Sequence, residues 1–237
     1  MIRRIGGVKV FIGVISHKRA KNVTKMEAMC GPLTWYVGEG EVQQYEIMGA
    51  SKVVESGGLC RSRNAILDDA FAQDLPAIEL SDDLRKLEIA TNKAEKHEAT
   101  LDDAVRLMFK ALDSTGSCMV GVAPTANAFF FNPNKPVHTS AFVVGDFIAV
   151  KPTNLRFDEE LRLKEDYDYT IQHLMKYGSI ARCNAVLATF AHRTNKGGAC
   201  DYRTSELEQT TIKQLKDKWP GMLKDNPKRK DEILLAI

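Results

Sequence analysis

Asp82 and Asp83 are the residues best placed to do chemistry. The run Ala77-Ile78-Glu79-Leu80-Ser81-Asp82-Asp83-Leu84 reads as a brief apolar strand with two adjacent carboxylates where it ends. Ligands of open α/β sheets lie beyond the carboxyl ends of the strands. A hard divalent cation takes oxygen ligands there, commonly one or two carboxylates completed by phosphate oxygens. Asp82 and Asp83 can therefore hold Mg²⁺ or Mn²⁺ against a diphosphate. Taken alone, such a pair more often serves a turn or a helix start. A second acidic pair, Glu165-Asp166, opens a helical pattern. It suits a general base that accepts a hydroxyl proton, and equally an acidic first turn on the helix dipole.

Three further features fall at expected strand ends. Ser16-His17-Lys18-Arg19 follows the first long strand, Glu39 the second, and Leu59-Cys60-Arg61-Ser62-Arg63-Asn64 opens the helix after the third. With a parallel sheet, all of them and Asp82-Asp83 open onto one edge, where a nucleotide would lie. Arg63 has a fork that matches phosphate oxygens. Asn64 offers a donor and an acceptor to a base or ribose. Singly, each is more often a cap or a surface charge. Phe129-Phe130-Phe131 can stack on an extruded base, although core or hairpin packing is the commoner use.

The elements needed to position these residues are legible in the first half. Val8–Ile15 is a strand, residues 20–30 a helix, and 33–37 a strand ending at Gly38. A helix over 42–48, a strand over 52–54, a helix over 61–71 and the strand after Pro76 follow. This alternation implies a mostly parallel, Rossmann-like central sheet. Residues 87–101 are charge-rich and read as an exposed helix or a loop, and Asp102 as the cap of a helix over 104–112. Residues 121–136 read as irregular. Strands over 141–144 and 147–150 flank Gly145-Asp146, a hairpin signal. A helix over 166–177 stops at Gly178, a strand covers 185–190, a helix 204–218, and a last short helix begins at Asp231.

Composition narrows the class. With 44% hydrophobic and 27% charged residues, the 237-residue chain has the balance of an ordinary globular protein. No apolar stretch is long enough to cross a bilayer, so no membrane partner is expected. The amino-terminal residues lack a small-residue cleavage site, so a signal peptide is not expected. Five scattered cysteines without CxxC spacing suit a reducing cytoplasm. A net charge of +2 does not argue for nucleic acid, but its distribution is uneven. Lys213, Lys216, Lys218, Lys228, Arg229 and Lys230 cluster near the carboxyl terminus, where they can follow a phosphate backbone or form a solvated tail.

Together these motifs resemble the GT-A fold glycosyltransferases, and within them the TET-associated glycosyltransferases of phages and eukaryotes. The likeness runs from about Val8 to Gly198. It is carried by Ser16-His17-Lys18-Arg19, Gly58-Leu59 with Arg63-Asn64, Ser81-Asp82-Asp83, Glu165-Asp166-Tyr167-Asp168-Tyr169, Tyr177-Gly178 and His192-Arg193. The resemblance implies a GT-A domain over residues 1–200, with a donor half of about 1–90 and a mixed acceptor half of about 91–200, before a helical basic extension over 201–237. It implies that Asp82, Asp83 and His192 hold Mn²⁺ or Mg²⁺, although a lone His is more often a surface or core residue. It implies that Ser16, His17, Arg19, Glu39, Arg63, Asn64 and Arg193 meet the UDP-sugar, and that Asp166, beside Glu165, is the base. Arg193, Lys196 and Gly197-Gly198 can form a basic lid. Asp168, two residues beyond Asp166, is expected to face elsewhere.

The activity implied is sugar transfer from a UDP-sugar to a hydroxymethylated pyrimidine, 5-hydroxymethylcytosine first, in double-stranded phage DNA, in the host cytoplasm. Alternatives remain open on the sequence: a glycan, lipid or protein acceptor; a nucleotidyltransferase, disfavoured by the lack of a Gly- and Lys-rich loop after the first strand; or a non-catalytic DNA-binding module. The sugar, the anomeric outcome and the oligomeric state are not legible.

Overall fold

The computed structural model describes residues 1–191 and 197–236. In chain order the elements are β1 (Ile2–Ile5), β2 (Val8–Ile15), α1 (Val23–Cys30), β3 (Thr34–Val37), α2 (Val42–Ile47), β4 (Lys52–Glu55), α3 (Leu59–Phe71) and β5 (Ala77–Ser81). Then come β6 (Leu84–Ala90), β7 (Lys96–Glu98), α4 (Leu101–Thr115), β8 (Met119–Val122), β9 (Val137–His138), β10 (Phe147–Val150) and α5 (Glu165–Tyr177). The chain closes with β11 (Ala181–Cys183), β12 (Val186–Phe190), α6 (Ser205–Lys218), β13 (Leu223–Asp225) and β14 (Ile233–Leu235).

The fold is α/β around a nine-stranded sheet ordered β4-β3-β2-β5-β10-β8-β11-β9, with β1 beside β2. Strands β2, β3, β4, β5, β8 and β11 share one direction, and β1, β9 and β10 oppose it. The sheet is therefore mostly parallel, as expected. Residues Val10 to Ile15 of β2 are all buried, the continuous apolar run of a strand covered on both faces. Val10, Ile12 and Val14 pack with Met26 of α1 and Val105 and Met108 of α4. Phe11 and Ile15 alternate to the other face, against Ile66 and Leu67 of α3 and Tyr169 of α5. Gly13 lies beneath α3, where a Cβ would stand 2.7 Å from Ile66 Cγ1. Among the described residues no helix is long and apolar enough to cross a membrane.

Several expectations are corrected. Residues 87–101 are mostly a hairpin, with a loop at 91–95 between β6 and β7; β6 pairs antiparallel with β12 and β7 in a second sheet. Its charges concealed it, because Glu88 is 6% exposed yet satisfied by Lys86 at 2.7 Å and Lys96 at 2.8 Å. Helix α4 is capped by Thr100, whose side chain and that of Asp103 exchange a capping box. Asp102 instead faces Arg3 at 3.4 Å. Residues 121–136 are irregular only after β8 ends at Val122.

Gly145-Asp146 makes no hairpin. Both edges of β10 are taken, by β5 and β8, so residues 141–144 have no strand to join. They pack instead on α5, with Phe142 stacked on Tyr167 at 3.9 Å and Val143 seated over Gly121. The final segment from Asp231 is strand β14, hydrogen-bonded to β13. The basic extension is thus a helix plus a hairpin, and it is part of the body. Ile212, Leu215, Leu223 and Ile233 share a core with Leu161 and Ile171.

Candidate functional site

The shared strand direction brings the carboxyl ends of β2, β3, β4 and β5 to one edge. That edge carries Ser16, Gly38, Ser56 and Asp82. Because β10 runs the other way, its start, Gly145-Asp146, reaches the same edge. The amino terminus of α5 docks there through Asp166, which accepts from Gly145 N at 3.2 Å.

Asp82-Asp83 is the two-residue turn joining β5 to β6, and both are buried, at 3% and 4% exposure. Asp82 Oδ2 accepts from Ser16 Oγ, and Oδ1 accepts from Arg19 Nη1 at 3.0 Å. Tyr45, which sequence reasoning missed, ties these together: its hydroxyl lies 2.6 Å from Ser16 Oγ and accepts from Arg19 N at 3.2 Å. Arg19 also donates to Gly197 O at 2.8 Å and stands 3.7 Å from Asp83. Burial pushes the Asp82 carboxyl up to about 6, despite the opposing pull of Ser16 and Arg19. His17 Nδ1 pairs with Glu41, whose other oxygen accepts from Lys18 N at 2.8 Å. Glu39 is exposed in the turn after β3.

The acidic pair fits a divalent cation in a restricted way. Both Asp82 oxygens are engaged by Ser16 and Arg19, whereas among the described residues the Asp83 carboxylate has only the 3.7 Å approach of Arg19. Asp83 can thus serve as a carboxylate ligand, with Asp82 fixing the turn. No group of three His, Cys, Asp or Glu side chains converges on a metal position among the described residues. Such an ion would rely on ligand phosphates and water for the rest of its shell, as Mg²⁺ commonly does. His192, Arg193 and Lys196 lie outside the described residues.

Arg63 and Asn64 are positioned differently from expectation. They lie in the second turn of α3 and point inward, not toward the edge. Arg63, 3% exposed, donates to Glu79 Oε2 and Gly145 O, both at 2.9 Å, and to Glu165 Oε1 at 3.2 Å. Its guanidinium also sits 5.1 Å from the Phe157 ring centroid. Asn64 clamps the backbone of Phe157, donating to its carbonyl at 3.0 Å and accepting from its N–H at 2.8 Å. Arg63 and Asn64 therefore act as framework, and Glu165 is held as a partner of Arg63.

Asp166, the other member of the pair, accepts from two backbone N–H groups, those of Gly145 and Tyr167. Burial, and then the neighbouring Glu165 charge, raise its carboxyl to about 7. Asp168 does face elsewhere: fully buried, it accepts from Trp219 Nε1 at 2.7 Å, Lys218 Nζ at 2.8 Å and Gln172 Nε2 at 2.6 Å.

Two acids escaped the sequence reading. Glu79, fully buried in β5, is raised to about 7 by burial, and its Oε1 has no partner among the described residues. An acid inside an apolar strand was a legible signal, since it demands a cation such as Arg63. Asp146 accepts from Ser81 Oγ at 3.1 Å and lines a small hollow with Val122, Ala123 and Pro124. Reading Gly145-Asp146 as a turn concealed it.

The basic cluster is uneven. Lys218 is a structural cation, paired with Asp158 at 2.6 Å as well as with Asp168. Lys216 pairs with Asp225 and Arg229 with Glu232. Lys213, Lys228 and Lys230 are exposed and make no ion pair among the described residues. Core packing accounts for Phe131 alone, at 5% exposure; Phe129 and Phe130 stand 65% and 69% exposed.

No family model matches this chain, and no curated protein matches it. Among solved structures it is similar to a mannose-1-phosphate geranyltransferase from Thermus thermophilus, at 8% identity and a TM-score of 0.32, over 76% of this chain. The chain spans 57% of that protein's length. It is also similar to a glucose-1-phosphate thymidylyltransferase from Bacillus anthracis in complex with sucrose, at 6% identity and a TM-score of 0.29, over 86% of this chain and 83% of that one. Likenesses this remote bear on no residue of the site.

Proposed function

We propose that this chain is a divalent-metal-dependent glycosyltransferase that moves a sugar from a UDP-sugar onto a hydroxymethylated pyrimidine in DNA, 5-hydroxymethylcytosine being the first candidate. The observation that carries the reading is the buried Asp82-Asp83 turn at the carboxyl edge of a mostly parallel sheet, braced by Ser16 and Arg19. Burying two adjacent carboxylates is costly, and Arg19, the one guanidinium that meets them among the described residues, does not neutralise both. Mn²⁺ or Mg²⁺ held at Asp83 would supply positive charge for the departing diphosphate. The chain's own contribution lies in positioning and proton transfer. Asp82, Ser16, Arg19 and Tyr45 fix the turn, and Arg63 fixes Gly145, which in turn orients Asp166.

Asp166 takes the proton of the acceptor hydroxyl. The hydroxyl oxygen bonds to the anomeric carbon as the bond from that carbon to the diphosphate breaks, and UDP leaves with the electron pair. A base with a pKa of about 7 is suited to this at neutral pH. The DNA acceptor rests on the sequence resemblance and on Lys213, Lys228 and Lys230. Hydroxymethylated DNA treated with protein, Mn²⁺ and a panel of UDP-sugars should yield a hexosylated nucleoside by mass spectrometry. No sugar transfer from any donor to any acceptor would overturn the proposal. Transfer to a glycan or peptide but never to DNA would overturn its acceptor half.

A further inference from the structure

At the carboxyl ends of β8 and β11 the edge opens into a second, larger hollow of about 320 Å³, lined by Phe130, Asn127, His138, Arg182, Asn184 and Leu187 among others. That volume is at the small end of the range for ligand sites and admits one compact molecule. Three of its properties define what fits.

The first is an exposed aromatic face. Phe129 and Phe130 sit on a 3₁₀ turn, Ala128–Phe130, with rings 5.5 Å apart at a steep angle. The turn is pinned from below, because Ala128 and Phe131 are buried with Ala90, Ala123 and Leu187, and Asn127 Oδ1 accepts from Phe129 N at 3.0 Å. Phe130 is therefore held out over the hollow. A phenyl ring kept in water forfeits the stabilisation that burial would give, so its placement asks for a flat partner.

The second is a cation without a carboxylate. Arg182 donates through Nη1 to Phe142 O and through Nε to Asn184 Oδ1, both at 3.0 Å, and makes no ion pair among the described residues. Its other guanidinium nitrogen has no hydrogen-bond partner among the described residues and can meet an incoming acceptor. Burial alone lowers its pKa, the signature of a half-buried cation lacking an anion. Among the described residues no acidic side chain lines the hollow. The third is a set of neutral hydrogen-bonding groups, Asn127, Asn184 and His138. Burial, with Arg182 and Lys135, lowers the His138 pKa, so its ring is neutral at pH 7 and can both donate and accept.

A flat ring with donors and acceptors on its edge, joined to an anion, is the chemistry of a nucleotide. We infer that this hollow seats one nucleotide unit, its base against Phe130 and its phosphate on Arg182. The hollow shares Ala123 and Pro124 with the smaller one lined by Asp146, so a nucleotide there adjoins the acidic edge. This deepens the proposed function, and rests on it, by placing the acceptor strand at the end of the edge away from Asp82.

The test uses the full chain without donor, with three fluorescence-monitored ligands: dCMP, a short single-stranded oligonucleotide, and a sulfated polysaccharide as a polyanion without bases. The variants are Phe130→Ala and Arg182→Gln. Phe130 is exposed, so its truncation spares the core, and that arm stands even if Arg182→Gln fails to fold. Phe130→Ala should weaken oligonucleotide binding about 10-fold at any salt concentration, the scale of one lost base stack, and leave polysaccharide binding unchanged. Arg182→Gln should weaken it and lower the salt slope by about one phosphate. Oligonucleotide binding unchanged in both variants overturns the subsite and leaves the DNA acceptor standing. Binding of dCMP that depends on Phe130, with no oligonucleotide binding, supports the subsite and overturns the DNA acceptor. No binding of dCMP or oligonucleotide overturns both.

Discussion

Replacing Asp82 with asparagine separates what the fold wants at that position from what the site wants. Asp82 is 3% exposed, and burial raises its carboxyl from 3.8 to about 6 even though Arg19 lies 3.0 Å away. Because the folded value lies above the unfolded one, the stability tied to this group is fully present below pH 3.8. It is lost as pH rises through 6. The whole shift corresponds to about 3 kcal/mol, of which about 1 kcal/mol falls between pH 5 and pH 8. The asparagine side chain cannot titrate, so Asp82→Asn should gain about 1 kcal/mol relative to wild type over that interval. Glu79 and Asp166 titrate in both proteins and largely cancel in the difference. Urea midpoints at pH 5 and pH 8, in chelator and without nucleotide, measure it. A gap that stays constant, or that moves in favour of wild type as pH rises, would mean that Arg19 outweighs burial and that Asp82 is an ordinary ion-pair residue.

Three further outcomes test other parts of the molecule. Gly121→Ala places a Cβ 2.2 Å from Val143 Cγ1 and should cost about 1–3 kcal/mol in thermal unfolding; a neutral result would show that residues 141–144 move aside freely. Lys218→Met removes the 2.8 Å partner of fully buried Asp168, leaving Trp219 and Gln172, and should cost about 1–3 kcal/mol in denaturant. A loss of DNA affinity without a loss of stability would instead restore Lys218 to the nucleic-acid surface. Asp166→Asn should reduce turnover by about 10²–10⁴-fold and abolish the rise in rate through about pH 7, while UDP affinity stays within twofold. Unchanged turnover would remove Asp166 as the base.

The parallel half of the fold was legible because strands buried on both faces leave continuous apolar runs, such as Val10 to Ile15, and Gly178 marks the end of α5. Strand β6 was not, because its charges are satisfied by Lys86 and Lys96, a pairing that spacing does not reveal. Strand β10 was legible as a strand but not in its place, since Phe147–Val150 looks the same whether it ends a hairpin or fills the centre of a sheet. At the site, strand direction was enough to bring Ser16, Arg19 and Asp82 together. Arg63 and Glu165 turned inward for a reason outside local sequence: Glu79, sixteen residues away from Arg63, needs a buried cation, while Asn64 turned in to the distant Phe157 backbone. Position on a helix predicted which edge these residues approach, but not which way they face.

Calorimetric titration of UDP, with and without Mn²⁺, into wild type and Asp83→Ala tests the central claim most directly. UDP should bind wild type tightly only when the metal is present, and Asp83→Ala should weaken that binding at least 10-fold while the variant keeps its far-ultraviolet circular dichroism. Equal UDP affinity with and without metal, unchanged in Asp83→Ala, would show that the acidic turn holds no metal and no diphosphate.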